Sequence, residues 1–369
     1  MSNPLPPVDP SILAHIADGF ALEGSFVKGS RHGNGLINDS FIAECQNGEA
    51  TRRYILQRIN HHVFKDVPAL MDNVRRVTDH LAAVPQVPNR QPLRLVRTHS
   101  EQGFLLDDHG CHWRCYDFIE GAKSYDVIHS LPIARAAAYS FGEFQAQLVD
   151  LAGPRLHETI PDFHNTRQRF ANLRAAIDAD TVSRVSTVGP EIEFALARES
   201  LANSLLDLHE AGGIPERITH NDTKISNMLI EETSDEGVCV IDFDTVMPGL
   251  GLYDFGDLVR SATNPCLEDE TDLSQVSVQL PIFEQLVAGY LGSARSILNA
   301  TEIDQLTVSG RLITYEIGLR FLTDYLAGDI YFRTDHPEQN LDRARGQFTL
   351  LKSMESAETE MRQIVSKYI

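Results

Sequence analysis

No apolar run in this 369-residue chain approaches the ~18 residues that a helix needs to cross a bilayer. The opening MSNPLPPVDPSI lacks a basic stretch and an apolar stretch, so it does not read as a secretory signal; residues 1–11 read as loose chain. Cysteines are few and odd in number: Cys45, Cys111, Cys115, Cys239 and Cys266. The close pair Cys111 and Cys115 has no matching pair elsewhere, which argues against a disulfide frame or a zinc site and for reduced thiols in the cytoplasm. Basic residues are outnumbered 32 to 52, a net charge of −20. Such a surface repels nucleic acid and anionic membranes, and it also serves solubility. Low-complexity tracts and internal repeats are absent. The expectation is a soluble cytoplasmic protein, monomer or small homo-oligomer, with neutral or cationic small molecules as its ligands.

What is present suffices for two cores, with 42% hydrophobic residues. Residues 26–118 read mostly as strand. Segments 36–45 and 52–59 flank Gln46-Asn47-Gly48-Glu49, a hairpin signal. Val67, Leu70, Met71, Val74, Val77 and Leu81 then recur at helical spacing, until Val84-Pro85-Gln86-Val87-Pro88 stops the helix. Further strands are expected at 93–98, 104–107 and 113–119. After Glu120-Gly121 the pattern turns helical, over 131–151, 162–177, 191–209, 283–298, 303–326 and 341–369. Two short strands, 228–231 and 238–241, interrupt it. The fold class is α+β, with a small β-rich lobe over 1–118, a larger helical lobe over 119–369, and a cleft between them.

The chemistry concentrates in His220-Asn221-Asp222-Thr223-Lys224-Ile225-Ser226-Asn227 and in Asp242-Phe243-Asp244. A hydroxyl that attacks a γ-phosphoryl group needs an oriented acceptor for its proton, and Asp222 on a short loop supplies one. Lys224 is a mobile cation suited to the transferring phosphate. Asn227 and Asp242 offer the oxygen ligands that magnesium takes alongside substrate phosphates. His220 reads as a brace for the loop. Asp244 reads equally as a ligand for a second metal or as a loop contact.

These motifs resemble those of the aminoglycoside phosphotransferase and choline kinase family, relatives of protein kinases. The stretches Gly33-Asn34-Gly35-Leu36-Ile37-Asn38-Asp39, Tyr54-Ile55-Leu56-Gln57-Arg58-Ile59-Asn60-His61, DFDTVMPGLGLYDFGD from Asp242 and RFLTDYLAGDIYF from Arg320 are similar to bacterial N-acetylhexosamine 1-kinases. The resemblance implies a bilobal protein-kinase-like fold and an ATP- and Mg2+-dependent transfer to the anomeric hydroxyl of a sugar. It implies Gly33, Asn34 and Gly35 over the nucleotide phosphates, with adenine at the hinge Tyr116-Asp117-Phe118-Ile119-Glu120-Gly121 through Asp117 and Ile119. Asp254 resembles the acid that braces the catalytic loop from a helix start.

One departure stands out. Kinases normally carry a strand lysine paired to a helix acid. Gln57 occupies that position here, beside Arg58, with Asp72 as the candidate acid. Either Gln57 makes a neutral contact or a register shift brings Arg58 into the cleft. For the acceptor, Arg320, Asp324 and Tyr331 suit a hexose, though Arg320 and Asp324 stand four apart and could pair on a helix surface. Trp113 reads as packing. The alternatives are an aminoglycoside, choline or amino-acid kinase of the same fold, or an inactive kinase fold that senses a ligand.

Overall fold

The structure is a computed structural model and describes residues 7–33, 37–85, 90–128 and 130–369. Asn34, Gly35 and residues 86–88 of the expected helix stop lie outside the described residues. The chain divides into two units: residues 1–121 with 151–160, and residues 122–150 with 161–369. Segment 151–160 returns to the first unit, which composition did not signal. Asn73 donates to the carbonyl of His157 at 2.8 Å and accepts from its N–H at 2.9 Å, tying the segment to a helix.

The first unit holds helix α1 (Leu13–Asp18), strands β1 (Ser25–Arg31), β2 (Asp39–Asn47) and β3 (Ala50–Ile59), helix α2 (Val67–Ala83), and strands β4 (Leu95–Val96), β5 (Leu105–Leu106) and β6 (His112–Asp117). The strands pair antiparallel in the order β1-β2-β3-β6-β4, with β5 also on β6. The expected hairpin forms with Asn47 opposite Ala50, so its two-residue loop is Gly48-Glu49, and Gly48 takes φ +64°. Asp66 caps α2 by accepting from Ala69 N–H at 3.0 Å. Val67, Leu70, Val74, Val77 and Leu81 are buried along α2, as their spacing predicts. The core around the sheet contains Leu13, Ile16, Phe41, Leu56, Trp113 and Cys115. Helix α1, just after the segment read as loose, thus fills that core. At six residues it is too short to show a period.

The second unit holds β7 (Ala122–Lys123), α3 (Leu131–Gln147), α4 (Thr166–Ala179), α5 (Gly189–Leu196), α6 (Glu199–Glu210), β8 (Glu216–Thr219), β9 (Met228–Glu231), β10 (Gly237–Val240) and β11 (Met247–Leu250). Helices α7 (Gly251–Thr263), α8 (Leu280–Ala294), α9 (Ala300–Asp304), α10 (Leu306–Ala327), α11 (Gln339–Ser356) and α12 (Glu358–Ser366) follow. Three long expected helices are each broken in two. At the first break, the carbonyl of Ala195 takes the N–H of Arg198. At the second, Gln305 ends α9, its N–H bonding the carbonyls of Thr301 and Glu302. One apolar core runs through α3, α7, α8, α10 and α11, and includes Phe141, Phe255, Phe283, Tyr315 and Leu351. Among the described residues no helix is long and apolar enough to cross a membrane.

Candidate active site

Two antiparallel pairs frame the motif loop: β8 with β11, Thr219 opposite Met247, and β9 with β10, Met228 opposite Val240. The loop runs from β8 through a tight turn at Ile225–Asn227 into β9, and the Ile241 N–H reaches back to the Asn227 carbonyl at 3.0 Å. Asn221 and Asp242 both adopt left-handed backbone, φ +62° and +67°. Asn and Asp tolerate this region better than other side chains, and such outliers persist only where the surroundings enforce them. The enforcement at Asn221 is visible. Its Oδ1 accepts from Thr219 Oγ1 at 2.9 Å, and its Nδ2 donates to the Thr245 carbonyl at 2.9 Å.

Asp254, in the first turn of α7, holds the loop from below. Its carboxylate accepts the N–H groups of His220 at 2.9 Å and Asn221 at 2.7 Å, and Gln145 Nε2 at 2.5 Å. Its carbonyl accepts Thr223 Oγ1. Burial pushes the Asp254 pKa up, against the pull of His220 and these donors. His220 is fully buried among Phe141, Phe144 and Phe243. Its Nδ1 accepts from the Asp222 N–H and its Nε2 faces the Ile241 carbonyl at 2.9 Å, so the proton sits on Nε2. The expected bracing roles of His220 and Asp254 match these contacts.

Asp222 Oδ2 accepts from Lys224 Nζ and from Asn227 Nδ2, each at 2.9 Å. The side chains of Asp222 and Lys224 keep 28% and 40% of their surface open. Both partners engage the same carboxylate oxygen, Oδ2. Burial would raise the Asp222 pKa; the Lys224 charge and hydrogen bond outweigh it, with help from His220 and Asn227, and the group stays below the usual carboxylate range. Burial would lower the Lys224 pKa, but Asp222, then Asp242 and Asp257, hold it above its ordinary value. The loop therefore presents an ionised aspartate and an ionised lysine.

The donor set suits a hard cation. The Asn227 amide directs its nitrogen at Asp222, toward both the carboxylate and the carbonyl, which turns Oδ1 the other way. Asp242 stands two residues after the end of β10, and its charge reaches Lys224. One carboxylate and one amide oxygen, completed by phosphate oxygens and water, is the ligation magnesium accepts.

In the first unit the Gln57 position is resolved. Gln57 Oε1 accepts from Arg114 Nε at 2.8 Å, and its Nε2 donates to Ser40 Oγ at 2.9 Å; both partners lie directly across from it, on β6 and β2. Arg58 points to the opposite face and pairs with Asp39, its partner across β2, at 2.6 Å. The ladders on both sides of β3 are in regular register, so no shift exchanges the two residues. Asp72 does not pair with Arg58. It lies 2.7 Å from Arg75, and His157 and Arg76 are next to it. Arg58 is buried.

Gly33 has φ +68°, and a Cβ there would meet nothing within 4 Å. At the hinge, Asp117 N–H bonds the Arg94 carbonyl and Phe118 N–H the Arg53 carbonyl, while burial raises the Asp117 pKa against Arg94. Ile119, the next residue, is buried. Trp113 packs on Phe41 and donates to Asp107 at 2.8 Å, as the packing reading predicts.

The Arg320 segment lies in the second unit. The guanidinium sits 5.4 Å from the ring centres of Phe163 and Phe332 and 5.7 Å from that of Tyr331. Arg320 and Asp324 do not pair. Asp324 is buried under the loop that follows α10 and accepts the N–H groups of Ile330, Tyr331 and Phe332, and Nδ2 of Asn340. This corrects its expected place as a sugar contact: its oxygens are committed to shaping the loop that carries Tyr331. Tyr331 is 45% exposed.

Residues 28–273 match the model of the APH phosphotransferase enzyme family. The chain belongs to that family. Solved structures give the same fold at low identity. An aminoglycoside phosphotransferase from Alicyclobacillus acidocaldarius is 14% identical, with 98% of each chain covered and a TM-score of 0.58. A choline kinase from Cryptosporidium parvum is 13% identical over 95% of this chain and 97% of its own, TM-score 0.57. A spectinomycin phosphotransferase, crystallised with ADP and spectinomycin, is 12% identical over 98% and 99%, TM-score 0.53. The fold of this phosphotransferase is thus kinase-like and mixed α+β.

Sequence reasoning passed over several side chains that shape the site. Gln145, Arg114, His164 and Glu316 were not singled out. Glu316 carried a signal, as an acid inside the apolar run Leu312-Ile313-Thr314-Tyr315-Glu316-Ile317-Gly318-Leu319. A buried acid there requires a partner.

Proposed function

We propose that the chain is an ATP- and Mg2+-dependent kinase that phosphorylates a sugar hydroxyl, the anomeric hydroxyl of an N-acetylhexosamine, and releases the sugar 1-phosphate and ADP. The observation that carries the reading is Asp222, ionised and held through Oδ2 with Oδ1 left open. Asp222 Oδ1 accepts the hydrogen bond of the attacking hydroxyl, aims its oxygen at the γ-phosphorus, and takes the proton as the new P–O bond forms. Lys224 turns from Asp222 to the transferring phosphoryl group. Asn227 and Asp242 would hold magnesium, which supplies charge neutralisation on the phosphate oxygens. Catalysis on this reading is positioning and electrostatics. Gly33, Asn34 and Gly35 contact the phosphates, Gln57 makes a neutral contact steadied by Arg114, and Asp117 and Ile119 flank adenine.

For the acceptor, the reading relies on Arg320 and Tyr331. A guanidinium ringed by three aromatic faces suits hydroxyls and a flat sugar face. A fixed cation there also disfavours a cationic acceptor such as choline or an aminoglycoside, despite the net charge of −20. The test is ADP release from MgATP with N-acetylglucosamine, N-acetylgalactosamine, choline and aminoglycosides. Turnover with the acetylated sugars is expected. Turnover with cations alone overturns the sugar, and no turnover with any acceptor revives a ligand sensor.

A further inference from the structure

His164 and Glu316 form a buried pair, 4% and 0% exposed, that the chemistry above leaves unassigned. His164 stands two residues before α4, and Glu316 lies on α10, one turn before Arg320. His164 Nδ1 is 2.7 Å from Glu316 Oε1, and Nε2 is 2.9 Å from the main-chain oxygen of Asn221. The other carboxylate oxygen, Oε2, accepts Thr166 Oγ1 at 2.5 Å. A main-chain carbonyl only accepts, and so does a carboxylate. Both ring nitrogens therefore donate, and the ring is an imidazolium. Burial opposes that charge, but Glu316 and, further off, Asp257 outweigh it; Arg320 and Arg169 are the cations that face Glu316.

The place where this bond lands gives it a role. Asn221 directly precedes Asp222 and is the left-handed residue of the loop. Its N–H is held by Asp254 and its side chain by Thr219 and Thr245; its carbonyl is held by His164. The carbonyl fixes the plane of the peptide joining 221 to 222, and so the direction in which the Asp222 side chain leaves the backbone. We propose that His164 and Glu316 are positioning residues for phosphoryl transfer: a doubly protonated imidazole bolts the Asn221 carbonyl to the helix that carries Arg320, so that the acceptor segment and the catalytic aspartate share one rigid frame. This rests on the reading of Asp222 as the residue that orients the acceptor.

Removing one partner would leave a buried charge alone and risk unfolding. The double variant His164→Phe/Glu316→Met replaces the pair with apolar groups of similar size, so that no charge is left buried alone. Its kinetics are read as ADP release from MgATP with N-acetylglucosamine, and with water as acceptor where the sugar is refused. We expect kcat to fall about tenfold or more and KM for ATP to stay within about twofold, while the melting temperature falls only modestly, since the Thr166 hydroxyl and the Asn221 carbonyl lose their partners. A folded double variant with native kcat overturns the proposal. Asp222→Asn is measured beside it: near-normal turnover there overturns the reading of Asp222 itself, which separates the two failures. Should the double variant not fold, the 15N signals of His164 in the native protein decide. Two protonated ring nitrogens at about pH 6, where the raised value keeps the ring charged, support the proposal, and a bare Nδ1, the proton then sitting on Glu316, overturns it.

Discussion

Lys224 Nζ lies 2.9 Å from Asp222 Oδ2, so the loop carries its own counter-ion for that carboxylate. The pair keeps Asp222 ionised, and on the proposed reading the lysine turns from it to the transferring phosphate. Lys224→Met removes both effects. We expect kcat to fall about 10²-fold, in the range for loss of one transition-state donor, with a smaller change in KM for ATP. Steady-state ADP release measures it, and a variant within about threefold of the native enzyme contradicts the role.

Asp254 satisfies two consecutive backbone N–H groups and Gln145 with two oxygens. Asp254→Asn offers one oxygen and adds an NH2, so a buried donor is left without a partner, at about 1–3 kcal/mol. The melting temperature should fall, and kcat should fall more than KM, because the backbone at 220–221 loses its anchor. Unchanged kcat in the folded variant would show that the loop holds itself.

The clustering of the motif loop was legible in sequence because its spacing is local. Asp222, Lys224 and Asn227 sit within six residues, and the turn that joins them into one cluster is built from those residues themselves. The strand and helix periods of α2, β2 and β3 were legible for the same reason. What escaped was non-local. Asp39 lies opposite Arg58 only once β2 and β3 are in register, and nothing near Arg58 in sequence favours Asp39 over Asp72. His164 and Glu316 are 152 residues apart and meet only through the packing of α10. Asp324 looked like a ligand because it is an acid beside an arginine, yet its oxygens close a loop that forms six to eight residues later.

The Arg58–Asp39 pair makes a prediction that separates stability from nucleotide binding. Arg58→Met takes away the buried partner of Asp39 and leaves it only the exposed Arg31, a loss of about 1–3 kcal/mol. The urea midpoint should drop, and the added change Asp39→Asn should restore much of it, since the two residues are direct partners. KM for ATP should change little in the double variant. A large rise in KM with no loss of stability would instead place Arg58 on the phosphates.

The buried pair on α10 gives stability a pH signature. His164 titrates above its ordinary 6.5 in the folded protein, because burial is outweighed by Glu316. Its contribution is fully present below about pH 6.5 and is lost as pH rises through the raised folded value. Glu316 titrates below its ordinary 4.5, because His164 and Thr166 outweigh its burial. Its contribution is present above about pH 4.5 and is lost as pH falls through the depressed value. Both are present together between about pH 4.5 and 6.5. Relative to His164→Phe/Glu316→Met, the native protein should therefore gain most in urea midpoint inside that window, and the gain should shrink on either side. Urea titrations of both proteins from about pH 4 to 9 measure it. A difference that stays flat across the range would mean that the two groups titrate in the folded protein as they do in the unfolded chain, which the 2.7 Å contact between Nδ1 and Oε1 forbids for an ion pair.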